Sequence, residues 1–288
     1  VTRFVTRHEA DLPEDHPGFS DPEYRSRRAA IAAVGEGYSA GDPIPDVTYS
    51  PEEDEVWRTV SRELAVKHRE YACRPYLDGA AALTLPADRV PQLREVDERV
   101  HGLTGFHIEP VPGLVPTRVF YRALARRTFL STQYIRHHSV PLYTPEPDIV
   151  HEIIGHANML ANPALADLYE EAGKASVRAT GDEALAFFSK VFWFTLEFGV
   201  LHEGGELRAY GAGLLSSFGE IEAFRSAEVR PWDLPAMGTL DYDITHYQPV
   251  LFAAASFEAM VDDLSAFFAG YDDEAHARWM AAAAAHRP

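Results

Sequence analysis

Two histidines five residues apart flank an acidic side chain in Pro147-Asp148-Ile149-Val150-His151-Glu152-Ile153-Ile154-Gly155-His156. Neutral imidazoles are common metal ligands, and a carboxylate beside them completes the donor types of a divalent-metal site. A third donor lies forty-one residues beyond His156: Glu197, within Phe192-Trp193-Phe194-Thr195-Leu196-Glu197-Phe198-Gly199, where an unpaired charge would be costly to bury. His151, His156 and Glu197 are the donor set of a facial triad, which holds non-haem iron(II) and leaves positions for oxygen and substrate. The spacing is unlike the His-Glu-x-x-His of zinc peptidases, which puts both rings on one helix face; five residues set them about 140° apart on an ideal α-helix. Convergence on one ion therefore requires a wider turn, and Gly155 is the place for it. A zinc hydrolase using Glu152 as general base, and a helix whose histidines hold no metal, remain open readings of these residues.

The elements that must carry these side chains are mostly helical. Pro22 to Gly37 reads as helix, and Ser50-Pro51-Glu52-Glu53 supplies a capping pattern for a long helix to about Cys73. A Pro/Gly-rich boundary covers residues 73–87, Pro91 to Leu103 is a short helix, and Gly105 to Gly113 alternates like a strand entering a loop. Arg118 to Arg136 reads as helix interrupted near Ser131-Thr132, and Ser139 to Pro147 as a proline-punctuated loop before the metal-motif helix. Asp182 to His202 is apolar on nearly every face, which marks a buried central helix and places Glu197 in the interior. Glu206 to Gly211 suits a short hairpin, and Leu214 to Phe224 and Pro249 to Phe268 look helical. The expected fold class is mainly α with a few short strands. One domain is expected over residues 1–288, with a polar arm at 1–22 and a helix-prone tail at 269–288.

Composition narrows the partners. With 26 Lys plus Arg against 44 Asp plus Glu, the net charge of −18 argues against nucleic-acid or anionic-membrane binding. A small molecule is the expected partner. Cys73 is the single cysteine, which excludes an internal disulfide and fits a cytoplasmic location. No signal-peptide pattern opens the chain, and no apolar run reaches the roughly 18 residues of a membrane span.

From Asp15 to about Phe268 the chain resembles the catalytic domain of the pterin-dependent aromatic amino acid hydroxylases. The resemblance is carried by Asp15-His-Pro-Gly-Phe-Ser-Asp-Pro-Glu-Tyr24, Thr132-Gln-Tyr-Ile-Arg-His137, Tyr143 to His156, Trp193 to Gly199 and Tyr210 to Glu220. It implies iron(II) on His151, His156 and Glu197, with Arg136 pairing the amino acid carboxylate and Asp148 orienting Arg136. Thr144 and Ser216 fall near the substrate backbone, Trp193 on the wall of the ring pocket, and Ile244 on a substrate-facing segment. Gly113, Leu114, Val115, Phe120 and Glu152 fall where the family holds its tetrahydropterin, with Phe120 as stacking platform. The chain departs from relatives at Phe192, where tyrosine is frequent, and at Leu130, where animal members often carry histidine.

The implied reaction uses oxygen and a tetrahydropterin to hydroxylate an aromatic ring. Trp193 and the apolar Ile244 favour L-phenylalanine, with para attack as the default. Meta attack for natural-product biosynthesis, L-tryptophan hydroxylation, and an inactive relative that only binds amino acids are the alternatives. Lacking the regulatory domain and tetramerisation helix of animal relatives, the chain is expected to be a monomer or small homo-oligomer. His137, His138, His202 and His246 are expected to lie outside the ligand set.

Overall fold

Helix starts follow the capping signals. Asp21 accepts from the Glu23 and Tyr24 amides ahead of α1 (Pro22–Glu36), and Ser50 with Glu53 forms a reciprocal capping box ahead of α2 (Pro51–Tyr71). The computed structural model describes residues 12, 14, 16–244 and 246–285. Residues 1–11, 13 and 15 of the expected arm and 286–288 of the expected tail lie outside that set, whereas Leu12 and His16 are buried.

The architecture is mainly helical, with short strands framing the metal-motif segment. The expected boundary at 73–87 instead contains α3 (Arg74–Leu83), because Pro75 lies in the first turn, where a missing N–H costs no helical bond. After α4 (Leu93–Thr104), β1 (His107–Pro110) matches the predicted strand. The predicted helix at 118–136 is shorter: α5 (Thr117–Leu124) ends and β2 (Thr128–Ser131) pairs in parallel with β1. That pairing overrides local helix propensity, and Arg127 makes the turn at a φ of 54°. Beyond it the chain has no regular element past Arg136, and the expected loop turns at residues 138–142.

Two π-helical turns follow, π1 (His151–Ala157) and π2 (Trp193–Glu197). Between them lie α6 (Asn158–Leu160), α7 (Pro163–Arg178) and α8 (Asp182–Phe192), with Phe187, Phe188, Val191 and Phe192 buried. The helix predicted to reach His202 stops at Glu197, and β3 (Val200–Glu203) turns through Gly204 and Gly205 into β4 (Glu206–Ala209). Those two glycines have φ of 61° and 84°, as a two-residue primed hairpin turn requires.

The segment predicted as one helix from Leu214 splits into α9 (Ala212–Ser216) and α10 (Glu220–Ala223), with extended Ser217 between them. A 3₁₀ turn (Phe224–Ser226), β5 (Glu228–Pro231) and α11 (Leu234–Thr239) lead to the last correction. Val250–Ala254, read as helix, is β6, central in the order β4-β3-β6-β5 and parallel to both neighbours. A short apolar run buried on both faces has no alternation to separate strand from helix. Ser256 then caps α12 (Phe257–Gly270), and α13 (Asp273–Ala285) forms the helical tail. No helix among the described residues is long and apolar enough to cross a membrane.

A large core joins most of these elements, with Trp57, Tyr76, Phe129, Tyr169, Phe188, Phe194 and Tyr210 fully buried, and a small second cluster holds Ile31, Val47 and Tyr134. Each such ring contributes about 1.5–3 kcal/mol by leaving water. A close backbone approach lies beneath π2, where a Cβ on Gly211 would sit 2.4 Å from both the Glu197 carbonyl oxygen and the Gly199 nitrogen. Gly211→Ala should therefore lower stability by about 1–3 kcal/mol, since main chain cannot yield as a side chain can. A urea midpoint equal to that of the parent would show that the contact relaxes freely.

Candidate metal centre and substrate pocket

The five-residue histidine spacing works because π1 bonds i to i+5, which brings His151 and His156 toward one point. Their Nε2 atoms lie 3.0 Å apart, and Glu197 completes the cluster, with Oε1 3.2 Å from His156 Nε2 and Oε2 3.9 Å from His151 Nε2. Glu197 is the last residue of π2, so all three side chains project from widened turns. Gly155 permits the approach of α9 to π1, because a Cβ there would meet the Ala212 carbonyl oxygen at 2.9 Å.

Hydrogen bonding assigns the imidazole tautomers. Ser216 Oγ donates to the Ala212 carbonyl at 2.8 Å and so accepts from His151 Nδ1, also at 2.8 Å. The Tyr169 hydroxyl lies 2.8 Å from His156 Nδ1 and donates toward Met159 Sδ at 3.6 Å, leaving its oxygen to accept from His156. In the neutral rings both Nε2 atoms then carry lone pairs, 3.0 Å apart and beside a carboxylate. Metal–nitrogen bonds of about 2.1 Å at right angles place adjacent donors about 3.0 Å apart. The donor set therefore fits one divalent cation, and nitrogen and carboxylate donors with room for further ligands suit iron(II).

A second carboxylate belongs to the cluster: ligand atoms of His151, Glu152 and His156 fall within 4.8 Å of one another. Burial outweighs the His156 charge at Glu152 and pushes its carboxyl up to about 8. At Glu197 burial also raises the pKa, but the charge and hydrogen bond of His156 prevail and hold it below the usual range. Burial and the His156 charge push His151 down to about 4. His156 itself is raised, because Glu197 outweighs burial. Glu197 is thus the better anionic donor, and Glu152, which accepts from Thr132 Oγ1 at 3.3 Å, faces a different partner.

Arg136 and Asp148 form a buried ion pair ahead of π1. Asp148 Oδ2 accepts from Arg136 Nε at 2.9 Å and from the Arg136 amide at 2.8 Å, while Oδ1 accepts from Arg136 Nη2 at 2.8 Å and the His151 amide at 3.2 Å. Burial acts against the Asp148 charge, but Arg136 and the amides hold its carboxyl below the ordinary value. A guanidinium has five N–H groups, so this side-on pairing leaves the Nη1/Nη2 edge for a ligand carboxylate.

The other predicted residues divide. Trp193 donates from Nε1 to Gln248 Oε1 at 3.0 Å and is flanked by Tyr242, stacked at 4.2 Å, and by Phe198 at 4.5 Å. Phe120 meets Phe129 and Phe192 edge to face at 5.6 and 6.2 Å, and Phe129 lies 4.6 Å from the His156 ring. Gly113, Leu114 and Val115 form the loop between β1 and α5, with Leu114 exposed. Thr144 is half-buried, its hydroxyl on the Glu146 carbonyl.

The Ser216 hydroxyl donates to the Ala212 carbonyl and accepts from His151, so it fixes the orientation of that ring. Ile244 is 53% exposed on the loop before β6.

His137 bonds Ser139 and Asp21, His246 bonds Asp243, and His202 is exposed on β3, all apart from the cluster. Sequence reasoning missed Tyr169 and Gln248. No local pattern marks Tyr169, thirteen residues from His156 across a helix boundary; Gln248, in a polar loop, had only its neighbour Pro249 as a signal. Gln248 also donates from Nε2 to the Asp243 and His246 carbonyls, and its amide donates to Glu220 Oε1 at 2.6 Å.

A mainly helical domain presenting two histidines and a glutamate from π turns defines a class of mononuclear metal enzyme. The chain matches the model of the biopterin-dependent aromatic amino acid hydroxylases over residues 1–283, and it belongs to that family. It is 46% identical over 259 residues to the phenylalanine 3-hydroxylase of Streptomyces coeruleorubidus, covering 90% of this chain and 93% of that protein. It is 43% identical over 268 residues to the phenylalanine-4-hydroxylase of Caenorhabditis elegans, covering 90% of this chain but 58% of the longer relative. Among solved structures, the apo phenylalanine hydroxylase of Colwellia psychrerythraea 34H superposes with a TM-score of 0.75 at 33% identity, over 83% of this chain and 90% of that one. The chain is therefore an aromatic amino acid monooxygenase, of a family that implies iron and a pterin.

The buried cluster has a consequence for the metal-free protein. Between pH 6.5 and 8 the folded state keeps a proton on Glu152, whose carboxyl burial pushes up to about 8, that an unfolded chain, with a pKa of about 4.3, has released. The folded state binds more protons, so its stability should fall as pH rises through this window. Urea midpoints at the two ends should show the fall, and Glu152→Gln should reduce it; an equal fall in the variant would remove Glu152 from the account.

Proposed function

We propose that this chain hydroxylates the ring of L-phenylalanine at the para position, with oxygen and a tetrahydropterin as co-substrates. The observation that carries the reading is the convergence of two Nε2 lone pairs and the Glu197 carboxylate, supported by family membership. In this reading His151, His156 and Glu197 hold iron(II), which supplies oxygen activation when bound. The free Nη1/Nη2 edge of Arg136 receives the substrate carboxylate, and Asp148 keeps the guanidinium oriented and charged. Thr144 lies on the loop beside that pair, and Trp193, fixed by Gln248 and Tyr242, forms a wall of the ring pocket. Glu152, protonated at neutral pH, can donate to a pterin ring whose face lies on Phe120, with Gly113, Leu114 and Val115 along its edge.

In this reading Trp193 separates phenylalanine and tyrosine from tryptophan, and the apolar Ile244 favours the unhydroxylated ring. A second reading, meta attack, is favoured by one observation: the relative 46% identical over nearly its whole length is a phenylalanine 3-hydroxylase. The two differ by one carbon of ring placement, which the ligand triad does not determine.

Anaerobic loading with iron(II), followed by tetrahydropterin, oxygen and L-phenylalanine, should give para-tyrosine against authentic ortho, meta and para standards. Meta-tyrosine would establish the second reading, and turnover of L-tyrosine or L-tryptophan alone would overturn the substrate assignment. Glu197→Ala should lose iron and activity together. Arg136→Lys should retain iron and raise KM for the amino acid by roughly ten-fold or more, the scale of losing one charge-assisted hydrogen bond; an unchanged KM would exclude Arg136 from carboxylate binding.

A further inference from the structure

A change from i→i+5 to i→i+4 bonding skips one main-chain carbonyl. In π1 the last wide bond runs from the Asn158 amide to the Ile153 carbonyl, and α-helical register is established again by the Ala161 amide on the Ala157 carbonyl. The Ile154 carbonyl, at this switch, accepts from two buried side chains instead: the Tyr76 hydroxyl at 2.8 Å and Asn158 Nδ2 at 3.0 Å. Asn158 Nδ2 also donates to the Tyr76 oxygen at 3.1 Å, so the three groups close a small ring.

Tyr76 lies on α3 and is fully buried. Beside it, at 3.5 Å from its hydroxyl, is Nδ1 of His68 on α2. His68 Nε2 donates to the Leu215 carbonyl at 2.7 Å, one residue before the Ser216 that holds His151. Side chains of two helices that supply no ligand thus grip both segments that set the imidazole positions.

We propose that Tyr76 and Asn158, supported by His68, are positioning residues for the metal centre: they occupy the carbonyl skipped in π1 and so hold the wide turn that brings His151 and His156 together. This rests on the metal-site reading above. Without a side-chain donor at Ile154, relaxation to α-helical register would restore a backbone donor, at the expense of returning the two rings to about 140° of separation. Loss of the hydroxyl therefore acts on ligand geometry, beyond its effect on stability.

The test is titration of the metal-free protein with cobalt(II) alone, read from its d–d absorption, together with thermal midpoints. Tyr271→Phe is the matched control, since it removes another buried tyrosine hydroxyl bonded at 2.8 Å to a main-chain carbonyl, that of Ala184, remote from the centre. Tyr76→Phe should weaken cobalt binding at least five-fold and shift its absorption bands, while Tyr271→Phe lowers the thermal midpoint but leaves affinity and bands unchanged. Asn158→Leu should act as Tyr76→Phe does, and it carries the test if that variant does not fold. Cobalt affinity and bands in Tyr76→Phe within two-fold of the parent, or an equal loss in Tyr271→Phe, would overturn the proposal. Failure of the parent to bind cobalt, or undiminished binding by His151→Ala, would instead overturn the metal-site reading itself.

Discussion

Two imidazole nitrogens 3.0 Å apart in a buried site need a proton or a cation between them, and much of the surrounding structure serves to hold them there. Ser216 and Tyr169 take the Nδ1 hydrogens and so point both Nε2 atoms inward. Such outer hydrogen bonds fix ring orientation and tautomer, and they raise ligand basicity. The two π turns provide the spacing, and close backbone packing around Gly155 and Gly211 brings α9 and the Glu197 segment within reach. A widened helix is less favourable than a regular one, and here it persists because its neighbours bond the groups it leaves unpaired.

Electrostatics separates the buried carboxylates into different roles. Glu197 is held anionic by the imidazoles, Asp148 by Arg136 and two amides, and Glu152 is left with burial dominant and so retains its proton. Environment alone distinguishes these three acids. The Arg136–Asp148 pair contributes little net stability once desolvation is counted, but it orients the guanidinium and, through the His151 amide, anchors the start of the ligand-bearing turn. The Arg136 guanidinium and the His151 amide therefore share one carboxylate.

Aromatic contacts connect the remaining parts. Phe120 reaches the His156 shell through Phe129, and Phe192 bridges Phe120 to Tyr169. On the other side, Trp193 is fixed by a stacked tyrosine and by an amide that also ties the loop carrying Ile244. Rings with few rotamers make rigid walls at small entropic expense. The position of the Trp193 ring consequently depends on the loop before β6 as much as on its own helix.

Local physics made a large share of this legible. The cap at Ser50, the strand β1 and the buried run around Glu197 are properties of neighbouring residues, and so is the demand for a widened turn at His151 and His156. Strands β2 and β6 were read as helix, because short apolar segments carry no period of their own and parallel pairing with distant strands decides them. What the sequence by itself determined is the set of donors, their chemistry and the strain their spacing imposes, since these follow from residue type and chain interval. Only the tertiary structure decided which carboxylate meets the imidazoles, that Ser216 serves His151, that Ile244 faces solvent and that Tyr169 and Gln248 complete the site. Those are contacts between segments far apart in the chain, and their partners are selected by packing and desolvation, which no local pattern encodes.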